Sequence, residues 1–176
     1  MLFSDIEGST RLLNRLGPSY PDILATHRRI LRRAFDDHGG RELGTEGDSF
    51  FVVFAEAADA VAAAAQGQRD LASHPWPEGA TLRVRMGVHT GTPETFEDNL
   101  VGFDVHLGAR IAATAHGGQV VLSAATADDV RARLPEGSTL IDLGEHRLKD
   151  IPGEQRLHQL LLHDLPALFP PLRSLG

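Results

Sequence analysis

Cysteine is absent from the 176-residue chain, which removes disulfides, thiolate metal sites, cysteine nucleophiles and iron–sulfur clusters. With no positive sign of secretion, a cytoplasmic home is the expectation. No apolar run approaches the roughly 18 residues that a spanning helix needs, so no membrane partner is expected. Met1-Leu2-Phe3-Ser4-Asp5 has neither a basic start nor a cleavage pattern and does not read as a signal peptide. Basic excess is missing too: 17 Lys plus Arg stand against 24 Asp plus Glu, a net charge of -7. Phosphate binding on a duplex needs a basic face, so direct nucleic-acid binding is disfavoured, whereas a small anion held by metal ions is compatible with this charge. The chain contains no H-E-x-x-H, no G-x-x-x-x-G-K-[ST] and no G-x-S-x-G, which argues against a zinc hydrolase, a P-loop ATPase and a serine hydrolase. Nor is there an internal repeat.

What is present suits one domain: 41% hydrophobic residues in 19.0 kDa, spread along the chain. Leu2 to Ile6 reads as a short strand running into a turn whose Ser9 and Thr10 can cap a helix starting near Arg11. The stripe Ile23, Leu24, His27, Ile30, Leu31, Ala34 and Phe35 predicts a helix over Tyr20 to His38, with Arg28, Arg29, Arg32 and Arg33 on a solvated face. Gly39-Gly40 ends it, and a hairpin follows, Arg41 to Thr45 and Phe50 to Phe54, with Asp48 at its tip. An alanine-rich helix (57–71), a strand (82–88), a polar loop, a helix (103–116), a strand (119–123), a short helix beginning at Ser123 and strands near 140–146 and 156–162 complete the pattern. This order predicts an α+β fold, a mainly antiparallel sheet with helices packed on one face. Residues 163–176, with Pro166, Pro170 and Pro171, read as a tail or linker after a domain of residues 1–162.

Two segments carry chemistry. Phe3-Ser4-Asp5-Ile6-Glu7-Gly8-Ser9-Thr10 and Gly47-Asp48-Ser49-Phe50 each place an aspartate where a strand gives way to a turn. Alone, each is an ordinary turn residue. Meeting at adjacent strand ends, the pair could hold two Mg²⁺ or Mn²⁺ ions about 3.5 to 4 Å apart, the arrangement that activates an attacking oxygen and neutralises a leaving phosphate. Backbone N–H groups of Glu7, Gly8, Ser9 and Thr10, at a helix start, could cradle phosphate oxygens.

These segments, with Arg85-Met86-Gly87-Val88-His89-Thr90-Gly91 and Val105-His106-Leu107-Gly108-Ala109-Arg110-Ile111, resemble the class III adenylate and guanylate cyclase domains from Leu2 to about Leu162. The resemblance implies a ferredoxin-like nucleotidyl cyclase fold and a head-to-tail homodimer with the active site at its interface. It also implies conversion of a nucleoside triphosphate, ATP ahead of GTP, to a 3′,5′-cyclic nucleotide and pyrophosphate. Asp5, the Ile6 carbonyl and Asp48 would then be metal ligands, and Arg110 would stabilise transition-state charge. Arg85 and Lys149 would contact the triphosphate, and His89 would be a framework residue.

Three positions depart from the pattern. Gly44 and Asn99 stand where a lysine and an aspartate or threonine read the adenine edge, and His106 replaces the asparagine that orients the ribose. Imidazole offers one donor in its neutral form and cannot copy an amide, and near triphosphate oxygens it would make activity depend on pH near neutrality. Two readings stand: a weak cyclase, or a degenerate module that keeps the fold and dimerises within a larger signalling protein. By likeness, the tail resembles the linker that precedes ATPase or DNA-binding regulator modules in some bacterial proteins.

Overall fold

Strict alternation builds the centre of the molecule. In β1 (Leu2–Ile6), Leu2, Ser4 and Ile6 are buried on one side, and Phe3 and Asp5 point to the other. The computed structural model describes residues 1–173. After β1 come α1 (Ser9–Leu16), a 3-10 turn (Gly17–Ser19), α2 (Tyr20–Asp37), β2 (Arg41–Gly44), β3 (Phe50–Val53), α3 (Ala57–Ser73) and β4 (Val84–Val88). Then follow β5 (Glu94–Phe96), β6 (Asn99–Val101), α4 (Phe103–Thr114), β7 (Val120–Ser123), α5 (Ala124–Val130), β8 (Ser138–Arg147) and β9 (Glu154–Leu162).

Seven strands form one sheet in the order β2-β3-β1-β4-β7-β9-β8, antiparallel except where β7 runs beside β4. The β1–α2–β2–β3–α3–β4 stretch is the split βαβ unit of ferredoxin-like folds. The α+β class and the mainly antiparallel sheet therefore stand as expected. The expected placement of helices needs correction. Val120 and Leu122 join a core with Leu31, Phe35 and Val61 from α2 and α3, while Val121 joins a second core with Leu107 and Ile111 of α4. Helix α4 thus covers the opposite face, and β7 is apolar on both sides because it is covered twice.

Two glycines set how close α4 comes. A Cβ on Gly87 of β4 would sit 2.5 Å from the backbone of Ala112, and one on Gly108 would sit 2.6 Å from the Phe3 ring. Larger residues would lift the helix off the sheet.

Local differences from the sequence reading have physical causes. Gly8 adopts φ 63°, so α1 begins at Ser9; neither Ser9 nor Thr10 caps it, and no side chain does. The polar loop after β4 contains a ribbon, Glu94 to Val101, whose mostly exposed residues give no periodic signal. Ser123 does cap α5, its Oγ accepting from the Thr126 N–H at 3.2 Å. Beyond β9, Leu165 packs on the larger core and Leu172 on the smaller one. The Arg173 N–H donates to the Thr114 carbonyl at 2.9 Å. The last three residues assigned to the tail lie outside the described residues.

Candidate active site

Asp5 leaves the sheet on the α4 face, opposite Arg85 of β4 in register. The guanidinium grips the carboxylate twice, Nε to Oδ1 at 2.6 Å and Nη2 to Oδ2 at 2.5 Å. This hydrogen bonding raises the pKa of Arg85 further above its ordinary value. Asp48 reaches the same strand end from the β2–β3 turn: its Oδ2 accepts the Ile6 N–H at 2.6 Å. The two acidic turns therefore do meet at the end of β1.

The Asp48 turn is held from behind. Arg28 of α2 donates to the Gly47 carbonyl, and Ser49 Oγ donates to the Glu46 carbonyl at 2.8 Å. Arg28 therefore does more than decorate a solvated face, and only the tertiary contact reveals it. Tyr20, at the start of α2, has its phenol pKa raised by burial and then by the negative charge of Asp48. Burial works upward on Glu7, but the Gly117 N–H and the Arg173 guanidinium outweigh it and hold this carboxyl below its usual range.

Asp5 and Gly44 line a common hollow of about 370 Å³ with Glu46, Ser49 and Ala109. A Cβ at Gly44 would meet nothing within 4 Å, so the backbone here leaves room for a side chain to start. The first turn of α1, with Gly8, Ser9 and Thr10, has no side-chain cap and leaves N–H groups for an anion.

Other sequence candidates lie elsewhere in the protomer. Arg110 on α4 pairs with Asp150 at 2.9 Å and with neither Asp5 nor Asp48. Asp150 follows Lys149, which is exposed in the β8–β9 connection. His106 is exposed one turn before Arg110, and Asn99 sits opposite Phe96 in the separate ribbon. His89 is buried between Ser123 and Asp104, Nδ1 to Oγ at 2.8 Å and Nε2 to Oδ1 at 2.8 Å, and that hydrogen bond lowers the Asp104 pKa. Asp104 was not singled out in the sequence, where an acid in a helix's first turn is commonplace.

One protomer thus carries an acidic strand end and, apart from it, an arginine on α4 that is paired with Asp150. The match to the adenylate and guanylate cyclase catalytic domain covers residues 1–164. The chain belongs to that family. An uncharacterized Mycobacterium tuberculosis protein is 38% identical over 176 residues, covering 99% of this chain and 59% of the relative. Receptor-type adenylate cyclase B of Leishmania donovani is 29% identical over 224 residues, covering 97% of this chain and 17% of that protein. The chain therefore spans little more than half of the mycobacterial relative. Among solved structures, an adenylate cyclase from Trypanosoma brucei in its monomeric state superposes with a TM-score of 0.86 at 24% identity, covering 99% of this chain and 94% of the other. An adenylate/guanylate cyclase/hydrolase from Silicibacter pomeroyi gives 0.79 at 24% identity, covering 91% and 94%. The cyclase fold is shared at full domain length. Among the described residues no helix is long and apolar enough to cross a membrane.

Proposed function

We propose that this cyclase-family domain converts a nucleoside triphosphate, ATP in preference to GTP, into a 3′,5′-cyclic nucleotide and pyrophosphate, weakly, as a head-to-tail homodimer. The observation that carries this reading is the meeting of Asp5, Ile6 and Asp48 at one strand end, bonded through the Ile6 N–H. Oxygen donors of this kind suit Mg²⁺ or Mn²⁺. Among the described residues no group of three or more His, Asp or Glu converges, so ions held here would need phosphate oxygens and water to complete their shells. Asp5, Asp48 and the Ile6 carbonyl would hold two such ions, which when bound supply charge to an attacking ribose oxygen and a leaving phosphate.

The chain's own residues take the remaining roles. Backbone N–H groups from Glu7 to Thr10 would bind phosphate oxygens, and Arg85 would turn from Asp5 to the triphosphate. Arg110, with its Nη2 on an exposed aspartate, would exchange Asp150 for the charge developing on the partner protomer's substrate. Lys149 would reach the same triphosphate from that partner. The open space at Gly44 leaves the base without a side-chain donor there, consistent with low selectivity; Asn99 and His106 would touch base and ribose with altered chemistry. We place residues 1–162 as the working domain, in the cytoplasm. The remainder of the chain would lead to ATPase or DNA-binding regulator modules of a longer protein.

A second reading is favoured by the arginine on Asp5 together with Gly44, Asn99 and His106: a domain that dimerises and binds nucleotide without turnover. Purified protein incubated with ATP or GTP and Mn²⁺ separates the two. Cyclic product from wild type, lost in Asp5→Ala and Arg110→Ala, supports the enzyme. Nucleotide binding with no product supports the regulatory module.

A further inference from the structure

Most arginines in this chain reach a carboxylate or a carbonyl. Arg11, Arg15 and Arg83 reach neither among the described residues, yet they line one hollow of about 320 Å³ beside Glu7 and Gly8. Arg11 and Arg15 lie one turn apart on α1 and share a face. Arg11 folds back over Gly8, where a Cβ would sit 3.1 Å from its Nη2. Arg83 enters from the residue before β4, where its carbonyl accepts the Glu7 N–H at 2.9 Å. All three residues are exposed, and Glu7, the acid in the hollow, is already engaged by Arg173.

Gathering three guanidinium groups costs repulsion, and the one acid lining the hollow, Glu7, is shared with Arg173 and offsets it only in part. Guanidinium forks match phosphate oxygens in pairs. Three forks from two elements offer more donors than one phosphate can face, and a lone peptide carboxylate would leave two of them idle. Two linked phosphates fit the count. We propose that this hollow binds a diphosphate group through Arg11, Arg15 and Arg83, as inorganic pyrophosphate or as the phosphate tail of a nucleotide. The site adjoins the proposed nucleotide cradle at Gly8 but requires no divalent ion, no second protomer and no turnover.

Calorimetric titration of the protein with inorganic pyrophosphate in EDTA tests this. Saturable binding is expected, weakened about tenfold or more in Arg11→Ala/Arg83→Ala and unchanged in Arg29→Ala and Arg33→Ala. If thermal unfolding shows the double variant misfolded, Arg15→Ala on the exposed face of α1 is expected to weaken binding in the same direction. ATP titrated in EDTA separates the two sources. A parallel loss in the double variant assigns the hollow to the nucleotide's tail, and a loss confined to pyrophosphate assigns it to free diphosphate. Absence of saturable binding in wild type, equal affinity in the folded variants, or an equal loss in Arg29→Ala would overturn the proposal. Failure to form cyclic product would leave this result untouched, since the titration involves no catalysis.

Discussion

Arg85 occupies both oxygens of Asp5, the carboxylate that the cyclase reading assigns to metal. The pair is partly buried, with side-chain exposures of 19% and 35%. The guanidinium takes one lone pair on each Asp5 oxygen and sets a positive charge where a divalent ion would sit, so the arginine competes electrostatically with the metal until triphosphate draws it away. Arg85→Ala is expected to raise Mn²⁺ affinity in the absence of nucleotide by about tenfold, while weakening nucleotide binding. Metal titration followed by electron paramagnetic resonance reads the first effect. An unchanged or weaker Mn²⁺ affinity would show that the ion pair does not guard the site.

The contact of α4 with β4 depends on Gly87. With only 2.5 Å between a would-be Cβ and the Ala112 backbone, Gly87→Ala must push the helix outward. The expected cost is about 1–3 kcal/mol in urea unfolding. A stability equal to wild type would mean that the two elements separate freely.

Asp104 ties the start of α4 to the sheet. One oxygen takes the His89 ring nitrogen and the other accepts the Thr92 N–H at 3.0 Å. Asp104→Ala leaves buried His89 short of a partner and is expected to cost about 1–3 kcal/mol. Chemical denaturation measures it, and a neutral result would show that the bond contributes nothing net.

Much of this architecture was legible in the sequence. The stripe on α2 was readable because Ile23, Leu31 and Phe35 recur at helical spacing, and their burial follows it. Asp5 and Asp48 stood out because each adjoins a short apolar run at a turn, Asp5 at the end of β1 and Asp48 just before β3. The covering of the second face was not legible: Val120, Val121 and Leu122 are all apolar, so no alternation told which side α4 would take. The pairs Asp5–Arg85 and Arg110–Asp150 join residues far apart in the chain, and no local pattern encodes them. The three-arginine hollow was hidden for the same reason, since its members come from α1 and the approach to β4.

His27 makes stability depend on pH. Its ring is fully buried beside Phe50, and burial, followed by the charge of Arg28, lowers its pKa to about 4. In the unfolded chain it titrates near 6.5. Below that pH the unfolded state takes up a proton that the native state refuses, so stability falls as pH drops from about 6.5 toward 4. The loss from this group reaches about 3 kcal/mol and grows no further below its folded pKa. Urea midpoints between pH 7 and 4 are expected to fall more steeply for wild type than for His27→Leu. Equal slopes would contradict this assignment.

The shared active site can be tested by mixing two silent variants, Asp5→Ala and Arg110→Ala, and allowing protomers to re-pair. In a head-to-tail dimer each heterodimer has one site with its acidic strand end and its arginine both intact, so random re-pairing should restore about a quarter of wild-type cyclic nucleotide formation. A mixture as inactive as its components, alongside an active wild type, would contradict a site built from two copies of this chain.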